Sequence, residues 1–211
     1  MKLLLLRLFD DKINTYSERV ILLSKFFAFI YRMKYISRWL LMRNTRTENV
    51  AEHSYHVSVL AHALAVISRD VFGKSIDPGR VASAALYHDM PEILTGDLPT
   101  PIKYYGSDIK EAYKRIEKEA SEKLLGNLTP EMQKGIRDAA MDEDERVNFF
   151  VKAADKLDAY IKCLEEINAG NRDFKTAEKQ TKKALDKMDC EEVKYFIENY
   201  LDAFSMTVDE L

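Results

Sequence analysis

Apolar residues recur along this chain every three or four positions, and no segment alternates convincingly with period two. From Glu18 to about Met33, the spacing of Val20, Ile21, Phe26, Phe27 and Ile30 predicts a helix. Ser37-Arg38-Trp39 and Arg43 to Glu48 read as a connecting segment. Asn49 or Glu52 opens the next helix, which carries Val57, Leu60, Ala61 and Leu64 on one face and runs to about Val71. Gly73 is a plausible C-cap. Asp77-Pro78 then sets a capping carboxylate before a proline at the first helical position. In the helix that follows, Val81, Ala84, Ala85 and His88 share a face, so His88 points inward. Pro91 disfavours helical geometry at Met90 and ends this helix near Asp89. Thr95 to Pro101 reads as a stiff, proline-limited loop. Further helices are predicted over 107–125, 129–140, from near Asp144 to Gly170, over 173–188 and over 190–204. In the one from Asp144, Phe150, Ala154, Leu157, Ile161 and Leu164 form the apolar stripe. The fold class is all-α, an irregular helical bundle. Residues 1–17 have weak periodicity and read as an N-terminal extension, and 18–211 as one domain.

Length and composition agree with that picture. The 211 residues suffice for one domain with a substantial core. Only 7 Gly and 5 Pro are present, too few for a turn-rich β-sandwich. The formal net charge of −3 gives no global basic field, so a polymeric nucleic acid is not an expected partner. Arg38, Arg43 and Arg46 form a local basic group that reads either as a small anion site or as solvated surface. The two cysteines, Cys163 and Cys190, lack metal or redox spacing and read as free thiols of a reducing compartment. Met1 to Leu6 resembles the start of a signal peptide, but Arg7, Asp10 and Asp11 interrupt it and no cleavage site follows. No apolar run approaches the ~20 residues that span a bilayer. The expected location is the cytoplasm, with no membrane contact.

The chemistry concentrates in a few residues. His88-Asp89 offers an imidazole and a carboxylate side by side at a helix end, where both can turn toward one ion. His53 upstream and Asp155 downstream would complete a four-ligand set. Taken singly, an inward histidine is more often a hydrogen-bonded core residue, and His56 and His62 are read as structural. Asp155, beside the apolar stripe of its helix, is costly to bury unless paired or metal-bound. A salt bridge to Lys152, Lys156 or an arginine would also explain it.

Three long blocks sharpen this. They are Arg38-Trp39 through Ala51-Glu52-His53, Tyr87-His88-Asp89 through Pro101, and Ala154-Asp155 with Ala159 to Glu166 and Ala169-Gly170-Asn171. Together they resemble the bacterial HD-domain 5′-deoxynucleotidases, a branch of the helical HD-domain phosphohydrolases, over roughly residues 22–205. The resemblance implies hydrolysis of deoxyribonucleoside 5′-monophosphates, with His53, His88, Asp89 and Asp155 binding a divalent metal. It implies that Arg38 orients the phosphate and Trp39 packs against the sugar, helping to exclude ribose. Glu92 would be a catalytic carboxylate, and Asp97, Leu98, Pro99 and Thr100 a nucleotide-contacting loop, with His53, Asp89 and Asp155 also next to the substrate. A homodimer is implied as well.

Physical chemistry agrees with those roles. A planar arginine makes bidentate phosphate contacts that lysine cannot. An apolar ring that leaves a 2′-hydroxyl without a partner costs ~1–3 kcal/mol. Relatives with two ions use extra histidines after the His-Asp pair. This chain has none after His88, so a second ion would need carboxylates such as Asp142 or Asp144. One divalent ion is expected, with Co²⁺, Mn²⁺, Zn²⁺ and Mg²⁺ all compatible with the donors. Competing readings are an HD-domain phosphohydrolase acting on other nucleotides, and a nucleotide-binding regulator without catalysis.

Overall fold

Side-chain caps start the three central helices in the computed structural model, which describes residues 24–211 except Tyr104 and the side chain of Thr100. The expected extension 1–17 and the start of the first predicted helix lie outside the described residues. Helix α1 (Phe26–Ile30) tightens into a 3-10 turn at Tyr31–Tyr35. Asn49 caps α2 (Val50–Val66) by accepting from the N–H groups of Ala51 and Glu52. The expected continuation to Val71 is present, but as a π-helical turn at Ile67–Val71. Gly73 follows with φ +65°, the left-handed conformation that glycine adopts without strain. Asp77 caps α3 (Pro78–Tyr87) through Gly79 and Arg80.

The loop expected after Thr95 is more helical than its prolines indicate. Short helical turns α4 (Glu92–Thr95) and α5 (Thr100–Lys103) flank Gly96 to Pro99. Pro101 sits at the second position of α5, where its missing N–H costs nothing. Then come α6 (Ser107–Leu125), α7 (Pro130–Ala140) and α8 (Glu145–Asn168), the last capped by Asp144 through Arg146. A 3-10 turn at Arg172–Phe174 leads into α9 (Lys175–Lys187), and α10 (Glu191–Tyr200) ends in another 3-10 turn. Among the described residues the only β feature is an isolated antiparallel bridge, Ser37 to Asn49.

Helices α2, α3 and α8 pack against one another at the centre. Small residues at their contact, Ala61, Ala65, Ala85, Ala153 and Ala154, are fully buried and let the backbones approach closely. Val57, Leu64, Val81 and Leu157 fill the remaining space, and α9 and α10 add Leu185, Val193 and Phe196. A second apolar cluster joins Phe26, Met90, Leu124, Leu125 and Leu128. The turn after α3 spans the two, because Ala85 belongs to the first and Met90 to the second. Burying Met90 contributes about 1.5–3 kcal/mol. It also fixes His88 and Asp89, which lie between these two anchors.

Candidate metal centre

The first turn of α2, the turn after α3 and the middle of α8 converge on one small volume. From α2, His53 is completely buried. Its Nδ1 lies 2.7 Å from Asp158 Oδ2. A carboxylate of ordinary ionisation only accepts, so Nδ1 carries the hydrogen and, in the neutral ring, Nε2 presents a lone pair. The same logic applies to His88, whose Nδ1 donates to the Ala85 carbonyl at 2.7 Å. Both Nε2 atoms are buried without a hydrogen-bond partner.

Carboxylates surround these two lone pairs. Asp89 Oδ2 lies 3.3 Å from His88 Nε2 and 3.4 Å from His53 Nε2, and Asp155 Oδ1 lies 3.3 Å from His53 Nε2. Lone pairs and anionic oxygens at such distances repel unless a positive charge sits among them. Two ligands ~2.1 Å from one ion and roughly tetrahedrally placed would themselves be about 3.4 Å apart. His53, His88 and Asp89 are therefore spaced to share one cation, and Asp155 approaches them through His53. The electrostatics likewise call for positive charge here, which a proton on His53 or a cation would supply. Burial and Arg38 both work against charge on His53, yet Asp155, Asp158 and Asp89 pull its pKa well above the usual imidazole value. Burial alone would raise the Asp89 carboxyl. His88, His53 and Arg38 outweigh it and hold Asp89 well below the ordinary range, and Asp155 is likewise held at about 2.

Glu48, His53 and Asp158 also approach one another. That group is an orienting layer, since His53 Nδ1 is taken by Asp158 and Glu48 Oε1 accepts from Arg38 Nε at 2.7 Å. Asp158→Ala is therefore expected to weaken metal binding ~10- to 100-fold. Asp158→Asn, which keeps an acceptor for Nδ1, should stay near wild type. Calorimetric titration of the apo variants with Zn²⁺ or Mn²⁺ measures this, and equal affinity in Ala and wild type would remove Asp158 from the orienting role.

Arg38 enters from the other side. Its NH1 lies 3.4 Å from Asp89 Oδ2, so the guanidinium borders the cation site. Arg43 and Arg46 do not join it. Arg43 is exposed and paired with Asp173 through two hydrogen bonds, and Arg46 is exposed, so the local basic group contributes one arginine only. Trp39 is half-buried at φ +58°, and its ring lies 5.3 Å from that of Phe174. A left-handed bulky residue costs of order 1–3 kcal/mol and persists only where its surroundings enforce it.

Glu92 differs from the exposed capping residue that its position would otherwise suggest. It is buried at 3 % exposure, with Oε2 lacking a partner. Burial first, then Asp89 and Asp97, push its carboxyl up to about 9. Asp97 is half-buried, and burial raises its carboxyl while the charge of Arg38 opposes the shift. Leu98 and Pro99 are half-buried beside it, while the Thr100 side chain is outside the described residues.

His56 and His62 are both exposed and outside the ligand cluster. Asp142 and Asp144 are also elsewhere. Asp142 makes two hydrogen bonds with Arg80, and Asp144 accepts from the Arg146 N–H at the start of α8. Two contributors carry no assignment in the sequence reading. Asp158 could have been found, because it lies three residues after Asp155 on one helix, and i,i+3 residues share a face. Glu48 has no local signal; only the folded turn brings it to Arg38.

A family model described as YfbR-like 5′-deoxynucleotidase matches residues 25–204. The 5′-deoxynucleotidase of Pectobacterium atrosepticum is 48% identical over 192 residues, covering 89% of this chain and 96% of that protein. That of Erwinia tasmaniensis is 47% identical over 191 residues, with the same coverage. Among solved structures, an HD-domain phosphohydrolase from Listeria innocua superposes with a TM-score of 0.72 at 22% identity, covering 85% of this chain and 88% of that one. A cyanophage S-2L HD phosphohydrolase, solved with dA and one catalytic Zn²⁺ ion, superposes with a TM-score of 0.57 at 22% identity, covering 83% and 96%. These two likenesses show the fold.

Proposed function

The chain belongs to the YfbR-like 5′-deoxynucleotidase family, and from that premise we propose how it works. It is a metal-dependent phosphomonoesterase that hydrolyses deoxyribonucleoside 5′-monophosphates to deoxynucleoside and phosphate. The observation that carries the reading is the pair of partnerless Nε2 atoms, on His53 and His88, facing the Asp89 carboxylate beside Arg38.

His53, His88, Asp89 and Asp155 would hold one divalent ion. Such an ion supplies positive charge for the phosphoryl oxygens and acidifies water near neutral pH. The chain's own groups do the rest. Arg38 binds two phosphate oxygens and offsets the negative charge that spreads over them in the transition state. Glu48 keeps that guanidinium aimed by accepting its Nε–H. Glu92 transfers the proton at its buried Oε2. Asp97, with Leu98, Pro99 and Thr100, contacts the nucleoside, and His53, Asp89 and Asp155 border the same substrate. Trp39 lies against the sugar, where the apolar face of its ring offers a 2′-hydroxyl no partner.

Two imidazoles and two carboxylates suit Co²⁺, Mn²⁺, Zn²⁺ or Mg²⁺. The same resemblance implies a homodimer. Two free, buried cysteines accord with a cytoplasmic location. Among the described residues no helix is long and apolar enough to cross a membrane.

Phosphate release from 5′-dAMP, 5′-AMP, 3′-dAMP and dATP, measured after chelation and with each metal restored, tests the reading. The expected result is release from 5′-dAMP alone, absent without metal. Equal rates on 5′-dAMP and 5′-AMP would defeat the deoxy preference. No release with any metal would defeat the enzyme reading itself.

A further inference from the structure

The segment that carries Arg38 and Trp39 is a closed loop with a polar anchor far away in sequence. At its neck Ser37 pairs with Asn49, Val50 N–H donates to Ile36 O, and Arg38 N–H to Glu48 O. Its crown, residues 39–46, gains little from apolar burial, since Leu40 and Leu41 are 61 % and 70 % exposed. Yet Trp39 is held there in a left-handed conformation.

The buried tie between the crown and α8 is Glu166, a carboxylate only 1 % exposed. Its Oε2 accepts from Thr45 N at 2.9 Å, Thr45 Oγ1 at 2.7 Å and Asn171 Nδ2 at 2.8 Å. Its Oε1 accepts from Lys162 Nζ at 2.5 Å and Arg46 N at 3.3 Å. Lys162 also donates to the Arg46 carbonyl at 2.7 Å, and Asn171 to the Arg43 carbonyl at 2.6 Å. The Lys162 ammonium lies 5.9 Å from the centre of the Phe174 ring, the same ring on which Trp39 packs. Five donors on one buried carboxylate hold it ionised, and its removal would leave several of them unpaired.

We propose that Glu166 is a positioning residue: through Thr45, Arg46 and the Lys162–Phe174 contact, it sets where the Trp39 ring lies and thereby the selection of deoxyribose over ribose. Its sugar-selecting half rests on the role given to Trp39 above. The positioning half does not, and the chain supplies its own probe, since Trp39 is the single tryptophan.

The experiment compares Glu166→Ala, Glu166→Gln, Asn171→Ala and Trp39→Ala with the wild-type metal-loaded enzyme. Acrylamide quenching of Trp39 fluorescence is read beside kcat/KM for 5′-dAMP and 5′-AMP. Glu166→Ala is expected to increase quenching severalfold and to reduce the deoxy/ribo ratio roughly tenfold, the scale of one unpenalised hydroxyl. Metal stoichiometry should stay unchanged. Glu166→Gln, which keeps one accepting oxygen, should fall between. If Glu166→Ala fails to fold, Asn171→Ala, which removes one donor from the network, reads the same two quantities with a smaller shift. Unchanged quenching in a folded Glu166→Ala or Asn171→Ala overturns the proposal. Altered quenching with an unchanged ratio overturns its sugar-selecting half, and Trp39→Ala then assigns the failure. If that variant also keeps the ratio, the role given to Trp39 is wrong; if it loses the ratio, only Glu166's share in selection is.

Discussion

Asp89→Ala is expected to lower phosphate release from 5′-dAMP by about a thousandfold or more and to abolish stoichiometric metal binding, while the apo protein still unfolds cooperatively. The first half follows from the position of one oxygen. Asp89 Oδ2 is the atom shared by His88 Nε2, His53 Nε2 and Arg38 NH1, at 3.3–3.4 Å from each. Removing a single preorganised charge-stabilising group costs ~10²–10³ in turnover. Removing this carboxylate also takes away the group that links the cation site to the phosphate-binding arginine, so the loss should reach or exceed the upper figure.

The second half follows from what Asp89→Ala leaves intact. The Asp89 backbone carbonyl still accepts from Glu92 N–H, and Met90 still fills the second apolar cluster. His53 keeps Asp158, and Arg38 keeps Glu48. No buried ion is stranded. Asp89→Asn separates charge from shape, and it should lose most of the activity too, because the neutral amide fills the space without balancing the cation. Wild-type turnover with metal retained, in either variant, would show that the His-Asp pair is structural.

The helices that position this site were readable because their signals are local. Asn49, Asp77 and Asp144 each cap a helix through N–H groups two or three residues away. The stripe on α8, Phe150 to Ile161, is buried as its spacing requires. What was not readable depends on residues distant in sequence. The proline-rich stretch after Thr95 reads as a loop, yet packing of its flanks on α6 supports two helical turns. Arg38, Arg43 and Arg46 look equivalent as a basic group, yet Asp173, 130 residues from Arg43, takes that arginine away. The left-handed conformation of Trp39 has no mark at its own position, because it belongs to a turn whose Met42 N–H and Asn44 side chain both donate to the Trp39 carbonyl. Glu92 reads equally well as surface or site until burial leaves its Oε2 without a partner.

Arg38→Ala should reduce kcat/KM on 5′-dAMP ~10²- to 10³-fold, with metal binding retained, which separates it from the Asp89 variant. The guanidinium is 11 % exposed, and its Nε–H is committed to Glu48. NH1 makes one long contact with Asp89, and NH2 takes part in neither, so the outer edge of the fork is available to phosphate oxygens. Lysine cannot reproduce that fork and would lose the Glu48 alignment, so Arg38→Lys should recover little. Burial opposes the charge on Arg38, but Asp89 and Glu48 more than compensate and raise its pKa further above the working range. The guanidinium therefore stays charged at every pH assayed, and its removal should lower the rate across the pH–rate profile and move the limb set by Glu92 to higher pH, because Arg38 normally opposes the rise of that carboxyl.

One side effect needs its own control. Alanine at Arg38 leaves the Glu48 carboxylate, 10 % exposed, without its arginine, at a cost of about 1–3 kcal/mol in stability. Arg38→Ala combined with Glu48→Gln should regain much of that stability and none of the activity. A double variant that regains activity with stability would show that Arg38 serves the fold, and full activity in Arg38→Ala alone would remove it from phosphate binding altogether.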